Sequence, residues 1–133
     1  MTFSDVAVIA LAFLSTAFIT VHANPLDHDR HVCTGFGTWA EERSSCTTLI
    51  LSGLLNLDDQ AWAYSRRGFA NMFLHQPVLA IQDYDQVIRL KPNDGDAYLL
   101  RGLVKKRLGN SAGAKADLAK ACALDPKRNC IAK

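Results

Sequence analysis

An all-α fold is what this 133-residue sequence predicts: a short α-solenoid of two tandem helix-turn-helix units with a partial capping helix before them. Three observations lead there. A shift of 34 residues brings Ala63, Tyr64, Arg67, Gly68, Leu74, Ala80, Asp83, Leu90 and Pro92 onto Ala97, Tyr98, Arg101, Gly102, Leu108, Ala114, Asp117, Leu124 and Pro126, nine identities at apolar positions and element boundaries. Within each copy, apolar and small residues recur three and four apart over 59–74, 77–90, 95–108 and 111–124, the period of a helix with one buried face. Turn chemistry separates these runs. Pro77 suits a first helical position, Gly109-Asn110-Ser111 supplies a left-handed stop and a cap, and Pro92 and Pro126 end the second helices.

Gly68 and Gly102 stand inside the first helix of each copy, where glycine costs about 1 kcal/mol against alanine. A close helix crossing accounts for them, with Ala80 and Ala114 expected as the small residues facing them on the second helices. Burial of Leu, Ile and Tyr at about 25 cal/mol per Å² outweighs that loss. Arg67 and Arg101 each precede an aspartate, Asp83 and Asp117, by sixteen residues. Such pairs can bridge the two helices of a unit, Asp83 can reach forward to Arg101, or both can be solvated charges.

Ahead of the repeats, residues 6–21 form an uncharged apolar run, and Val21-His22-Ala23 offers small residues to a signal peptidase. Residues 1–23 therefore read as a leader removed near Ala23, which gives a periplasmic or secreted protein, or as an uncleaved membrane anchor. Residues 24–58 read as a loop, from Asn24 to Glu41, and a cap helix, Ser44 to Ser52. The units follow at 59–94 and 95–128, and 129–133 is a tail. Export would place the four cysteines in an oxidising compartment. Cys33 with Cys46 and Cys122 with Cys130 are the expected pairs, each close in sequence and at one end of the mature chain, against an alternative of buried free thiols.

The helix pairs AWAYSRRGFANMFL…LAIQDYDQVIRLKPN and DAYLLRGLVKKRLG…AKADLAKACALDP resemble the tetratricopeptide repeat family over about residues 61–128. Small exported bacterial members are the nearest in flavour. Arg67 and Arg101 depart from the usual Leu, and Asn71 and Lys105 from the frequent Tyr. The resemblance implies a concave face lined by the first helix of each unit: Trp62, Ser65, Phe69, Met72 and Phe73, then Asp96, Leu99, Leu103, Lys106 and Arg107. It also implies a protein or peptide as the partner. An aromatic half and a basic edge suit a peptide with an apolar anchor and an acidic group, unless the cap helix or Trp39 fills the aromatic half. Ser65 and Phe69 replace the Lys and Asn of chaperone-binding members, so a carboxylate clamp for C-terminal peptides is not expected.

Formal charge is +2, and since residues 1–23 hold Asp5 but no Lys or Arg, the remainder carries 15 basic and 12 acidic side chains, or +3. Neither value points to nucleic acid. The sequence has no phosphate-cradling glycine loop, GxSxG, HExxH or CxxC. A non-catalytic scaffold without cofactor is therefore expected. His28, Asp29, His31 and Cys33 have metal-ligating side chains but loose spacing, and no metal is assigned to them. Two other classes compete with the scaffold: a structural envelope subunit that self-assembles through its C-terminal repeat, and a metal or redox protein with free thiols.

Overall fold

The computed structural model describes Asn24 and residues 26–127. Within them the chain forms six helices and no strand: α1 Asp27–Cys33, α2 Trp39–Leu51, α3 Leu57–Phe73, α4 Pro77–Leu90, α5 Gly95–Arg107 and α6 Ser111–Leu124. Each helix packs on the next, most extensively within α3/α4 and α5/α6. The result is a short all-α solenoid. The leader or anchor reading of residues 1–23, the residues of the tail and Cys130 lie outside the described residues. None of the helices described is long and apolar enough to cross a membrane.

Side-chain caps set most of the starts. Asn56, Asp94 and Asn110 accept from the backbone N–H of Asp59, Ala97 and Gly113, while Pro77 opens α4. The two first helices stop alike. His75 and Gly109, 34 residues apart, both adopt the left-handed conformation, at φ 56° and 79°. The following amides, of Gln76 and Asn110, donate to the carbonyls of Asn71 and Lys105.

Helical structure begins earlier than the sequence reading placed it. The stretch read as a loop from Asn24 to Glu41 holds α1 and the first turn of α2, and the cap helix starts at Trp39 rather than Ser44. Thr38 and Glu41 form a reciprocal capping box that starts α2. The buried face of α2 is Glu42, Ser45, Cys46 and Leu49. Three of these four are not aliphatic, which is why apolar spacing did not mark the helix. The same four positions precede Ala80, Asp83, Tyr84 and Val87, the buried face of α4, by a constant 38 residues. Thus α2 stands to α3 as α4 stands to α5.

The glycine crossings are tight: the nearest atoms at Gly68 belong to Asp83 and Tyr84, and those at Gly102 include the expected Ala114. A Cβ built on Gly68 would lie 3.1–3.2 Å from its nearest neighbours, the Tyr84 ring and Asp83 Cβ. Ala80, one turn earlier, packs with Tyr84 and with Val104 of α5. At Gly102 the neighbours are Asp117 Cβ and Leu118 Cγ at 3.2 Å and the Ala114 carbonyl oxygen at 3.3 Å. We expect Gly68→Val to lose about 1–3 kcal/mol by overpacking the fully buried ring. Gly68→Ala should lose far less, since about 1 kcal/mol of helix propensity offsets the crowding. Urea unfolding of both variants measures the difference; equal losses would contradict a tight crossing.

Candidate peptide-binding groove

The face between α3 and α5 carries a pocket of about 210 Å³ lined by Phe69, Met72, Phe73, Tyr84, Leu100, Leu103, Val104 and Arg107. Helical spacing builds it. Phe69, Met72 and Phe73 share one stripe of α3, Leu100, Leu103, Val104 and Arg107 one stripe of α5, and Tyr84 of α4 lies between them. Phe73 and Leu103 remain 49% and 44% exposed at its rim. Trp39 stacks on Phe73 at 4.2 Å between centroids and meets Phe69 edge-on at 5.8 Å. The aromatic end is thus partly covered by the chain itself, while the rest of the pocket stays open.

Of the residues expected on this face, Phe69, Met72, Phe73, Leu103 and Arg107 come together in the pocket. Ser65, Leu99 and Lys106 do not line it. Trp62 is a correction: it packs on the buried cluster of Cys33, Cys46 and Leu49 on the α1/α2 side. Tyr84, Leu100 and Val104 were missed by the sequence reading, although Ala80, Tyr84 and Val87 repeat at helical spacing. Tyr84 is fully buried and its hydroxyl has no hydrogen-bond partner among the described residues. Burial first, then the nearby Asp83 charge, pushes that hydroxyl well above the ordinary tyrosine range.

The arginine-aspartate pairs bridge the helices of each unit. Arg67 grips Asp83 through Nε at 3.1 and 3.2 Å and Nη2 at 2.6 Å, and Asn71 Nδ2 adds a bond of 2.9 Å to the same carboxylate. Arg101 holds Asp117 at 2.8 and 2.6 Å, and Lys105 joins it at 2.8 Å. The forward link also exists, but Asp85 makes it rather than Asp83, reaching Arg101 Nη1 at 2.5 Å. Burial alone would raise the Asp117 carboxyl. Hydrogen bonds from Arg101 and Lys105, with their charges, outweigh it and hold the group below the usual carboxylate range. Each guanidinium also lies over the Tyr one turn before it, Tyr64 or Tyr98, at 5.3 and 5.5 Å.

Behind the aromatic end lies a further pair invisible in the sequence. Glu42 is fully buried, its Oε1 2.6 Å from Arg66 Nη2, and Arg66 Nε donates to the Cys33 carbonyl at 3.1 Å. Desolvation raises the Glu42 carboxyl, and the Arg66 charge and hydrogen bond counter it in part. Cys33 is bonded to Cys46. Cys122 is also disulfide-bonded, but its expected pairing with Cys130 falls outside the described residues. His31, in the stretch with metal-ligating side chains, stacks on Phe36 at 4.3 Å.

Residues 95–128 match the family model described as tetratricopeptide repeat. A human FK506-binding protein-like protein is 43% identical over 56 residues, covering 42% of this chain and 16% of that protein. The chain therefore spans a small part of that relative's length. Among solved structures, the first tetratricopeptide repeat domain of Spaghetti (RPAP3) bound to the HSP90 peptide SRMEEVD superposes with a TM-score of 0.67 at 20% identity, over 79% of this chain and 80% of that one. The Arabidopsis OM64 domain gives 0.67 at 23% identity, over 79% and 84%, and MamA gives 0.65 at 23%, over 74% and 55%. These structures share the fold. Residues 95–128 thus form a helix pair that matches the tetratricopeptide repeat over its whole 34-residue period, inside a solenoid that shares the fold of these domains.

Proposed function

We propose that this protein is a non-catalytic scaffold that binds a peptide segment of a partner protein in the α3/α5 groove. The observation that carries this is the half-exposed apolar pocket with Arg107 at its edge. A cavity of about 210 Å³ takes one large apolar side chain, and Arg107, with Lys106 beside it in sequence, favours an acidic residue next to that anchor. That one solved relative holds an HSP90 peptide is consistent with peptide capture on this fold. The bond between Cys33 and Cys46 supports work in an oxidising compartment, periplasmic or outside the cell, after removal of the leader.

The test is selection from a random peptide library followed by calorimetry. Selected peptides should carry a large apolar residue flanked by Asp or Glu, and Phe69→Ala with Phe73→Ala should weaken them at least ~30-fold, two desolvated anchors being lost. Arg107→Gln should weaken them roughly 3- to 10-fold, mostly at low salt. Selected peptides that bind the double variant as tightly as the parent would refute the groove assignment.

A further inference from the structure

The two arginine sites are built alike but are not equally filled, and the difference outlines a second binding site on the opposite side of α3. Arg101 holds two carboxylates, Asp117 through Nε and Nη2 and Asp85 of the preceding helix through Nη1. Arg67 holds Asp83 through Nε and Nη2, but among the described residues its Nη1 meets only the Thr47 hydroxyl, at 3.3 Å. Thr47 occupies on α2 the place of Asp85 on α4, by the 38-residue correspondence of their buried faces. The second carboxylate is therefore missing at the first site.

A cavity of about 330 Å³ opens there, lined by Arg43, Thr47, Arg67, Asn71, Leu79, Gln82 and Asp83. Arg43 bonds the Gln76 side chain at 2.9 Å and has no carboxylate within ion-pair distance among the described residues. Two guanidiniums and one carboxylate leave the cavity with an uncompensated positive charge. Asn71 is 2% exposed and its Oδ1 has no hydrogen-bond partner among the described residues. Its orientation is fixed, because Nδ2 must face the Asp83 oxygen. A buried acceptor thus sits beside unfilled cationic donors.

We infer that the cavity between α2 and α4 binds a carboxylate that carries an adjacent N–H or O–H donor. The carboxylate bridges Arg43 and Arg67 Nη1, taking the role Asp85 plays at Arg101, and the donor satisfies Asn71 Oδ1. The last residue of a polypeptide and a free α-substituted acid share this chemistry. The site is separate from the α3/α5 groove, and no residue lines both.

The experiment titrates the ¹⁵N-labelled full chain with N-acetylglycine, following the Nε–H resonances of Arg43 and Arg67. Saturable shifts are expected, and the uncharged N-acetylglycinamide should produce none. Arg43→Gln should weaken binding at least ~10-fold through the loss of one charge-assisted contact. Thr47→Asp should abolish binding by supplying the missing carboxylate from within, while Arg107→Gln in the groove leaves it unchanged. N-acetyl-triglycine binding at least ~10-fold tighter would assign the carboxylate to a polypeptide end, and equal binding to a free acid. Absence of saturable shifts, an equal response to the amide, or unaltered binding in both Arg43→Gln and Thr47→Asp overturns the inference.

Discussion

Arg67→Ala should destabilise the fold by about 3–5 kcal/mol, the range for removing one partner of a buried pair. Asp83 is 3% exposed, and without the guanidinium it retains only the Asn71 amide at 2.9 Å. The alternative for the carboxylate is protonation or solvent entry, and either opens the α3/α4 crossing at Gly68, whose nearest neighbours include Asp83 itself. Arg67→Met with Asp83→Leu should recover most of the loss, because the cost comes from the abandoned charge and not from the missing attraction. Chemical denaturation of the three proteins decides it. A single variant within about 1 kcal/mol of the parent would show that Asp83 is solvated in solution.

Removing the Cys33 to Cys46 bond by Cys33→Ala with Cys46→Ala should cost about 2–4 kcal/mol, the usual range for a loop of this size. The two residues are 13 apart and fully buried, in contact with Leu26, Leu49, Leu55 and Trp62. Seven residues long and without a side-chain cap, α1 has little stability of its own. Arg66, which donates to the Cys33 carbonyl while facing buried Glu42, depends on the same junction. Hydrogen exchange should therefore accelerate first over residues 27–33, and the α5/α6 pair should keep its protection. The substitution isolates this bond from the disulfide at Cys122, which chemical reduction would not. Unchanged protection in α1 would mean that packing alone holds it.

The repeat was legible because its signals are local or periodic: the 34-residue recurrence, Pro77, and Gly109 all act through backbone geometry that neighbouring residues reveal. Five groove residues came instead from the resemblance, which assigns the first helix of each unit to the concave face, and Phe69, Met72, Phe73, Leu103 and Arg107 do line one pocket. What failed depended on chain-distant partners. Trp62 shares the helical spacing of the groove residues, yet the disulfide cluster takes it, a competition that only the position of α1 and α2 decides. The α2 helix was truncated because its buried face uses Glu42 and Ser45, tolerated there by Arg66 from α3 and by close packing. Its start was nonetheless written in the sequence, as Thr38 and Glu41. Asp85 in place of Asp83 as the forward link follows from helix phase: position 83 is already turned inward toward Arg67, and position 85 faces outward toward the next unit.

The different surroundings of the two tryptophans give the molecule built-in optical reporters. Trp62 abuts a disulfide, an efficient quencher of indole emission, whereas Trp39 lies over Phe73 at the mouth of the pocket. Emission from the native chain is therefore weighted toward Trp39, and a change at its stack on Phe73 registers as a spectral change without any label. Reduction of the neighbouring sulfur pair brightens Trp62 instead, so the two events are separable by wavelength and intensity in one cuvette.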